Sequence, residues 1–302
     1  MNNKNQLIKE LEKLDISFLV EEPMSCHTSF KIGGNVSVMV IPKSVQEIAD
    51  TVKICNKIGI RYMAVGNGSN LLVSDDGINA CVILLAKSFS DVKLIDENTI
   101  FAQAGAPLIK VCRFARDHSL SGLEFAYGIP GSCGGGAFMN AGAYGGELKD
   151  ILIKCEHIDR NGDAGYLEGD ALGLSYRHSV YYDNGCIITG VYIKLRKGNK
   201  EDISSKMEEL MQRRKDKQPL EYPSAGSTFK RPEGYFAGAL IEQCNLKGAS
   251  VGGAQVSEKH AGFVINKGGA SCKDVLELCR MVSNKVYEQQ GVRLDMEIRV
   301  TE

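Results

Sequence analysis

Residues 129–146 read IPGSCGGGAFMNAGAYGG, an uncharged stretch in which seven glycines are interspersed with Asn140, Tyr144 and other large side chains. A flexible linker would lack such side chains, and a membrane helix would not contain this much glycine. Glycine lets a flat ligand lie against the main chain, because any Cβ would hold the ligand away. The stretch therefore predicts an ordered loop that binds a neutral aromatic ligand.

A second glycine loop, GNGSN at residues 66–70, follows the apolar run YMAV and precedes LLV. Its two glycines allow successive backbone N–H groups to face one concavity, to which Ser69 and Asn70 add side-chain donors. This arrangement predicts a nest for a pyrophosphate, although a tight turn between two strands would have the same pattern. A third segment, SAGSTFKRP at residues 224–232, sets hydroxyl groups beside Lys230, and it is also compatible with a plain turn.

The composition is that of a globular protein and excludes several classes of function. The chain has 302 residues, of which 43% are hydrophobic and 24% charged, so a disordered or fibrous protein is excluded. With 36 Lys and Arg against 37 Asp and Glu, nothing favours binding to nucleic acid or to an anionic membrane surface. Glycine is in excess, and of its 33 residues nine lie in the window 122–146 and nine in the window 226–269.

The cysteines and the N-terminus indicate the compartment. Ten cysteines are spread singly with no CxxC pair, which favours reduced thiols over a disulfide framework. The initial run MNNKNQLIKELEKL is too charged for a signal peptide, and the long uncharged stretch at 125–146 contains eight glycines and a proline. We therefore expect a cytoplasmic protein without membrane insertion. The five histidines are scattered without ligand spacing, so no metal site is expected.

Several familiar motifs are absent or out of context. The chain has no GxGxxG and no GxxxxGK[ST], which argues against a doubly wound dinucleotide fold and a phosphate-loop NTPase. GASVG at 248–252 matches the hydrolase pattern GxSxG, but it lacks the preceding strand and following helix of a nucleophile elbow. NGS at 67–69 matches a glycosylation site, which has no meaning in a cytosolic glycine loop.

Local patterns predict mixed α and β structure in both halves of the chain. Ser44 and Glu47 form a capping box for a helix that ends at Gly59, Pro107 suits the first position of another helix, and Asn161-Gly162 predicts a hairpin turn. The predicted helices cover residues 7–14, 45–58, 107–116, 203–217 and 272–290. The predicted strands cover residues 36–41, 61–65, 81–85, 92–95, 99–104, 186–195 and 292–300, with a hairpin over 155–167. The polar stretch 196–205 is the predicted domain boundary.

A series of motifs along nearly the full chain, from His27 to Glu297, resembles the UDP-N-acetylenolpyruvoylglucosamine reductases. In chain order they are HTSFKIGG (27–34), VGNGSNLL (65–72), GLEF (122–125) with IPGS (129–132), MNAGAYGGE (139–147), YRHS (176–179), GSTFK (226–230), AGALI (237–241) and HAGFVIN (260–266). The chain has no room for an extra substrate-capping insertion and so looks like the shorter class of that family.

The resemblance implies an α+β fold with a two-part FAD-binding domain of the vanillyl-alcohol-oxidase type and a C-terminal α+β substrate domain. The expected divisions are an N-terminal helix and lead-in (1–24), the FAD-binding domain (25–200, with subdomains 25–86 and 87–200) and the substrate domain (201–302). The implied reaction is the reduction of UDP-N-acetylglucosamine enolpyruvate to UDP-N-acetylmuramate in peptidoglycan synthesis. NADPH is the implied co-substrate, and non-covalently bound FAD passes a hydride from N5 to substrate C3.

The resemblance also implies three catalytic residues. Hydride addition leaves an enediolate, which needs a cation on its carboxylate and a proton for C2. Arg177 matches the family arginine that holds the carboxylate, and Ser227 matches the proton donor to C2. Glu297 matches the third residue, which assists polarisation of the carboxylate and is expected to be protonated or paired with Arg177.

Substrate and cofactor contacts follow in the same way. Lys217 and Lys230 are candidates for the substrate diphosphate, and Lys217 matches a family position. For the other residues of the basic run 213–217, a solvated face is the alternative. Tyr176 is a further substrate-binding candidate, with a core position as its alternative. The twelve residues expected to hold FAD lie in the two glycine loops: Gly66, Asn67, Gly68, Ser69, Asn70, Gly131, Ser132, Gly134, Gly135, Asn140, Ala141 and Gly142.

Two other functions are compatible with the same motifs. One is a flavin oxidase of this fold that acts on a sugar or lactone, and the other is a nucleotide-sugar-binding protein that has lost catalysis. The presence of Arg177, Ser227 and Glu297 together argues against the second. For the reductase we expect a monomer or weak dimer whose partners are small molecules.

Overall fold

The computed structural model describes residues 3–86 and 88–302, and the chain divides into two compact units. Unit 1 comprises the chain up to Glu22 together with Ser37–Asn67 and Ala80–Gln212. Unit 2 comprises Pro23–Val36, Gly68–Asn79 and Arg213–Glu302. The polar stretch 196–205 lies within unit 1, and the change of unit falls inside a helix. The domain division expected at 24, 86 and 200 stays a prediction.

Helices and strands are interspersed along the described chain. The α-helices are α1 (Asn3–Lys13), α2 (Val45–Ile58), α3 (Leu108–Asp117), α4 (Cys133–Phe138), α5 (Tyr181–Asn184), α6 (Lys200–Lys217), α7 (Ala237–Gln243) and α8 (Cys272–Gln290). The strands are β1 (Phe18–Pro23), β2 (Asn35–Val40), β3 (Tyr62–Val65), β4 (Leu71–Val73), β5 (Ile78–Leu84), β6 (Val92–Leu94), β7 (Thr99–Gln103), β8 (Leu120–Ser121), β9 (Gly142–Ala143), β10 (Gly146–Glu147), β11 (Leu152–Ile158), β12 (Ala164–Glu168), β13 (Ile187–Lys194), β14 (Arg196–Lys197), β15 (Ser250–Val251), β16 (Ala254–Val256), β17 (Val264–Asn266) and β18 (Arg299–Thr301).

A four-stranded sheet in the order β1-β2-β5-β3 forms the first part of unit 1, with β3 parallel to β5. Helix α2 has the predicted ends, but half of its predicted capping box is missing, because the Glu47 Oε2 accepts from the Lys43 amide at 2.9 Å and not from that of Ser44. The Ser44 hydroxyl accepts a hydrogen bond from the Glu47 amide at 3.1 Å, and Gly59 ends the helix in the left-handed region at φ 75°. The buried face of α2 carries Ile48, Val52 and Cys55. This predicted helix is confirmed.

A five-stranded antiparallel sheet in the order β12-β11-β13-β7-β6 forms the second part of unit 1. Its β11–β12 hairpin turns through Asn161-Gly162, with Gly162 at φ 83°, so the predicted hairpin is confirmed. Helix α4 packs on β13 and β7. The prediction for Pro107 is wrong in one detail. Pro107 precedes α3 in an extended conformation (ψ 135°) and so lies just outside the helix.

Unit 2 combines a three-stranded sheet, β15-β16-β17, with the parallel pair β18–β4 and helices α7 and α8. Helix α8 covers the predicted residues 272–290 and ends at Gly291. It begins at a capping box, not named in the prediction, in which Ser271 and Asp274 bond each other's backbone amides. The core of this unit includes Leu72, Ile241 and Val282.

The predicted strand at 292–300 is wrong over most of its length, because only Arg299–Thr301 is a strand. Its alternation is nevertheless structural, since Leu294 and Ile298 are both buried. The segment changes neighbours along its course, and no single strand runs beside all of it. Residues 295–297 bond to the 228–230 segment, and β18 then pairs with β4.

All ten cysteines are free thiols, and eight of them are buried, where they act as small apolar side chains. Within residues 3–86 and 88–302, no helix combines the length and the apolar character needed to cross a bilayer. The described residues also contain no group of three or more His, Cys, Asp or Glu side chains that could hold a metal ion.

Gly68→Ala is expected to destabilise the protein strongly. Gly68 has φ 58°, and a Cβ there would lie 2.0 Å from the carbonyl oxygen of His27. The left-handed conformation costs an alanine about 1–2 kcal/mol, and the backbone clash adds about 1–3 kcal/mol. The measurement is the free energy of unfolding in urea at a fixed, saturating FAD concentration.

Gly59→Ala is the matched control for this experiment. Gly59 has φ 75°, but a Cβ there meets no atom within 4 Å. It should lose only the conformational term, about 1–2 kcal/mol. An equal loss of unfolding free energy in the two variants would show that Gly68 does not lie close to the His27 carbonyl in solution.

Candidate functional site

Within unit 1, Gly66 and Asn67, which begin the first glycine loop, lie beside residues 130–132 of the second. The Asn67 Nδ2 donates to the carbonyl of Pro130 at 2.8 Å. A Cβ on Gly66 would lie 2.1 Å from the Ser132 Oγ, so the two loops are in close contact. The sequence places these loops more than sixty residues apart, and the fold brings residues 66–67 and 130–132 together as expected for one binding site.

The reason for several of these glycines differs from the one that the sequence suggests. A Cβ on Gly134 would lie 2.7 Å from the Cβ of Ala104, and one on Gly142 would lie 2.9 Å from the carbonyl oxygen of Gly146. At these positions packing between protein segments already requires glycine, and the expected contact of Gly134 and Gly142 with FAD stays a prediction. Gly135 is the exception, since it is exposed and its Cβ would meet only the Ser132 Oγ, at 3.4 Å.

Ser132 and Cys133 begin the short helix α4. The buried Ser132 caps the helix by accepting from the Gly135 amide at 3.4 Å. The amides of Cys133 and Gly134 donate to the carbonyls of Ala106 and Ala104 at 2.8 and 2.7 Å, so both are occupied by protein. Burial raises the pKa of the Cys133 thiol to about 12, which keeps it neutral.

The main chain at residues 66–70 has the donor pattern that a diphosphate requires. In the described part of the chain, these five consecutive amides donate to no other protein group. Unoccupied amides in succession suit a bound anion, and Ser69 adds a half-buried hydroxyl. The residues present therefore fit the diphosphate of a dinucleotide cofactor.

Arg177 lies at the tip of a tight hairpin in unit 1, residues 175–178, called here the Arg177 hairpin. Ser175 and His178 exchange two backbone hydrogen bonds of 3.1 Å each. Arg177 has φ 53°, an uncommon conformation for a residue with a Cβ, and such strain concentrates at functional sites. Its Nη2 donates to the carbonyl of Gly142 at 3.4 Å. Tyr176 is 51% exposed, which excludes the core alternative, and its ring lies 5.1 Å from the guanidinium carbon.

A second hairpin, residues 142–147, lies beside Arg177 and is called here the Tyr144 hairpin. Its strands β9 and β10 pair Gly142 with Glu147, and its turn residues Tyr144 and Gly145 have φ values of 53° and 86°. Ala141 is tied to the same region, because its amide donates to Gly136 and its carbonyl accepts from Leu148. The segment preceding this hairpin is therefore fixed by protein contacts.

Asn140 is placed differently from the cofactor contact that the sequence suggests. Its relative exposure is 0%, and its side-chain amide is bonded to Glu147, Ser175 and Lys149. In this conformation the Asn140 side chain cannot touch a cofactor.

Ser227 in unit 2 stands on a segment that is held on both sides. Gly226 has φ 80°, Ser227 is exposed, and Thr228 is buried. The Thr228 amide donates to Gly262 at 2.8 Å, and its hydroxyl accepts from the Val264 amide at 2.8 Å. These bonds fix the backbone next to Ser227. The GSTFK pattern thus joins a flexible turn residue, an exposed hydroxyl and a buried anchor.

Glu297 lies on the neighbouring segment of the same unit. Its amide donates to the carbonyl of Thr228 at 2.8 Å, so the residue beside Ser227 is bonded directly to Glu297. The Asn70 Nδ2 donates to the Glu297 carbonyl at 3.3 Å, and the Asn70 carbonyl accepts from Arg299 at 2.9 Å. Asn70, expected to hold FAD, therefore also supports the backbone of Glu297.

The two candidate lysines of unit 2 are both exposed. Lys217 is the last residue of α6. The Lys230 amide donates to the Asp295 carbonyl at 2.8 Å, which fixes the backbone of this exposed residue on the Ser227 segment. Lys230 is thus joined to the Ser227 and Glu297 segments, and Lys217 lies apart from them in the sequence.

The sequence interpretation missed the residues that hold these side chains in place. Thr228 and Asn266 are both buried polar residues inside recognisable motifs. The Asn266 Nδ2 donates to Phe30 at 3.2 Å, and its Oδ1 accepts from Gly268 at 2.9 Å. Each lies directly beside a buried apolar residue, Phe229 in GSTFK and Ile265 in HAGFVIN, and that pattern is the signal that could have identified them.

Comparison with protein families and known proteins gives a consistent result. Residues 36–164 match the FAD binding domain, and residues 218–301 match the C-terminal domain of UDP-N-acetylenolpyruvoylglucosamine reductase. The chain is 46% identical over 302 residues to a protein of that name from Clostridium botulinum, with 99% of this chain and 98% of the relative covered.

Solved structures agree with these matches. The UDP-N-acetylenolpyruvylglucosamine reductase of Thermus caldophilus superposes with a TM-score of 0.80 at 35% identity, covering 95% of this chain and 99% of that one. A glucooligosaccharide oxidase of Acremonium strictum superposes with a TM-score of 0.50 at 14% identity, covering 96% and 59%. The second likeness concerns the fold alone. The α+β fold with an FAD-binding domain of the vanillyl-alcohol-oxidase type is confirmed.

Proposed function

This chain belongs to the UDP-N-acetylenolpyruvoylglucosamine reductase family, and we propose that Arg177, Ser227 and Glu297 perform its chemistry. The protein is an FAD-dependent oxidoreductase that uses NADPH to reduce UDP-N-acetylenolpyruvoylglucosamine in peptidoglycan synthesis. The observation that carries the assignment of residues is the hydrogen bond between the Glu297 amide and the Thr228 carbonyl, which keeps the segments of Glu297 and Ser227 together.

The cofactor is held mainly by the main chain. Bound FAD supplies the hydride. The five successive amides of residues 66–70 suit its diphosphate, and Gly135 offers an exposed position without a Cβ. Gly131 and Ser132 adjoin this region through the contact of Asn67 with Pro130. We expect the binding to be non-covalent.

Arg177 binds and orients the substrate carboxylate. A guanidinium carries a fixed fork of N–H donors that matches two carboxylate oxygens, and it stays charged at every physiological pH. When negative charge develops on the carboxylate of the enolpyruvyl group, a cation already in place stabilises it without reorganisation. The uncommon backbone conformation at Arg177 supports this role.

Ser227 gives its proton to C2 of the substrate. A serine hydroxyl is a weak acid, but a carbanion-like enediolate is basic enough to take its proton. Ser227 is exposed and so accessible to the substrate, and the two hydrogen bonds of the neighbouring buried Thr228 fix its position. Glu297 polarises the same carboxylate from the neighbouring segment. Asn70 supports it through the bond to its carbonyl.

The nucleotide part of the substrate is bound by basic and aromatic side chains. Lys230 and Lys217 are exposed cations that suit the diphosphate as point charges, and the exposed ring of Tyr176 offers an apolar face. We further propose a cytoplasmic monomer or weak dimer. Ten free thiols are typical of a reducing compartment.

The test follows the two half-reactions in the holoenzyme without oxygen. NADPH should bleach the yellow protein, and the enolpyruvyl nucleotide should restore the colour. Glu297→Gln should leave the bleaching rate unchanged and slow the recovery at least about tenfold, because only the second half-reaction needs carboxylate polarisation. Glu288→Gln, an exposed carboxylate on α8, is the control.

Two results would contradict the proposal. Full recovery rate in Glu297→Gln would remove Glu297 from the chemistry. Recovery by air as fast as by substrate would favour the sugar oxidase alternative, which otherwise has support from fold likeness only.

A further inference from the structure

Asn140 is a fully buried polar residue next to the Arg177 hairpin, and the reaction as described above does not use it. Its relative exposure is 0%, and its backbone has φ 42°. A buried amide is retained only when its hydrogen-bonding groups are satisfied, because an unmatched one is costly. The partners of Asn140 therefore indicate what it does.

The Asn140 side chain joins the two hairpins of this region. Its Nδ2 donates to the Glu147 Oε2 at 2.7 Å in the Tyr144 hairpin. The same nitrogen donates to the carbonyl of Ser175 at 2.9 Å in the Arg177 hairpin. Its Oδ1 accepts from the Lys149 amide at 2.8 Å. The donors and the oxygen of one side chain thus bind two backbone groups, at Ser175 and Lys149, and the carboxylate of Glu147.

The Arg177 hairpin has two further attachments to the same region. The buried Ser179 donates from its hydroxyl to the carbonyl of Phe138 at 2.8 Å. The Arg177 Nη2 donates to the carbonyl of Gly142, which is the residue paired with Glu147. The base of the Arg177 hairpin and the guanidinium are therefore both hydrogen-bonded to the segment 138–142, which contains Asn140.

Asparagine suits this position for two reasons. It tolerates the left-handed backbone conformation better than most residues with a Cβ. It also offers two donors and an acceptor on a short side chain. Aspartate would keep the backbone preference and the acceptor, but it would lose both donors and set a carboxylate beside that of Glu147.

We infer that Asn140 is a positioning residue. Its hydrogen bond to the Ser175 carbonyl fixes the Arg177 hairpin and thereby the position and orientation of Arg177. The inference rests on the proposed role of Arg177 in the reductase. This positioning role takes the place of the contact with FAD that the sequence suggests for Asn140. A displacement of a charge-stabilising group by about 1 Å can cost about 10²-fold in rate, which sets the scale of the effect.

The test compares Asn140→Asp, Asn140→Gly and Arg177→Ala in the holoenzyme. Asn140→Gly removes the side chain but keeps the left-handed backbone, so it serves if the aspartate variant fails to fold. Either Asn140 variant should slow recovery of the flavin colour by substrate by about 10- to 100-fold. The bleaching rate with NADPH and the Kd for FAD, titrated into the apoprotein, should change less than about twofold.

Asn56→Asp is the matched control. The Asn56 Nδ2 donates to the carbonyl of Arg160 at 2.6 Å, so this variant loses a bond of the same kind elsewhere in unit 1. It should leave both half-reactions unchanged.

A double-mutant cycle decides whether Asn140 acts through Arg177. In the Arg177→Ala background, Asn140→Asp should slow the recovery further by less than about threefold, because positioning has no value without the guanidinium. Multiplicative losses would overturn the inference, and so would a weakened Kd for FAD with both half-reactions slowed. If Asn140→Asp recovered at the full rate while Arg177→Ala recovered slowly, the inference about Asn140 would be overturned and the proposed role of Arg177 would stand. A full recovery rate in Arg177→Ala would instead overturn the proposed role of Arg177.

Discussion

Arg177→Ala should slow the substrate-dependent recovery of flavin colour by about 10²- to 10³-fold, the loss seen when one group that stabilises developing negative charge is removed. Both residues carry a Cβ, so the cost of the left-handed backbone at φ 53° is the same in the variant and the parent. The loss should therefore report the guanidinium and not the turn. Stopped-flow absorbance of the holoenzyme, reduced by NADPH in the absence of oxygen, measures the rate directly.

Arg177→Lys separates charge from geometry. Lysine keeps the positive charge but offers no planar fork, so it should recover only a part of the lost rate. Bleaching by NADPH should be unchanged in both variants, because the carboxylate belongs to the other substrate. If Arg177→Ala slowed bleaching and recovery equally, the arginine would serve the fold or the cofactor and not the substrate carboxylate.

Local features of the fold could be predicted where short-range chemistry decides them. Helix α8 begins after Ser271 and ends before Gly291 as the sequence indicates, because a capping box and a left-handed glycine fix both ends. The hairpin at Asn161-Gly162 follows in the same way from its turn residues. These features need no information from distant parts of the chain.

Long-range pairing could not be predicted from local patterns. The grouping of Pro23–Val36 and Gly68–Asn79 with the C-terminal residues in unit 2 has no local signal. Residues 292–300 alternate as a strand should, yet a strand needs one continuous neighbour, and this segment exchanges one neighbour for another. Periodicity reports which side chains are buried and not what lies beside the backbone.

The candidate site shows the same division. Motif resemblance singled out Arg177, Ser227 and Glu297, whose types are dictated by the reaction. The role of Asn140 could not be read in that way, because its partners at Ser175 and Lys149 become neighbours only in the folded chain. The glycines illustrate the converse. Their number indicated close approaches to the main chain, but at Gly66 the group that approaches is the Ser132 Oγ of the protein itself.

Ser227→Ala is expected to have the other large effect, a loss of about 10²- to 10⁴-fold in the rate of product formation, because a positioned proton donor contributes that much. Alanine fits the site, since Ser227 is exposed and the neighbouring Thr228 keeps its bonds to Gly262 and Val264. Binding of FAD and bleaching by NADPH should therefore be unchanged. Product formation is measured by single turnover with rapid quenching.

Ser227→Cys is the rescue variant for this prediction. A thiol is a stronger acid than a serine hydroxyl, so it should restore much of the rate that alanine loses. Thr228→Val is the structural comparison, because it removes the hydroxyl that accepts from Val264 and leaves the donor in place. It should lower the stability of the protein more than the rate of proton transfer. Reaction in D₂O should label C2 in the parent enzyme and in Ser227→Cys. If Ser227→Ala formed labelled product at the parent rate, another group would supply the proton, and Glu297 on the adjoining segment would be the first residue to test.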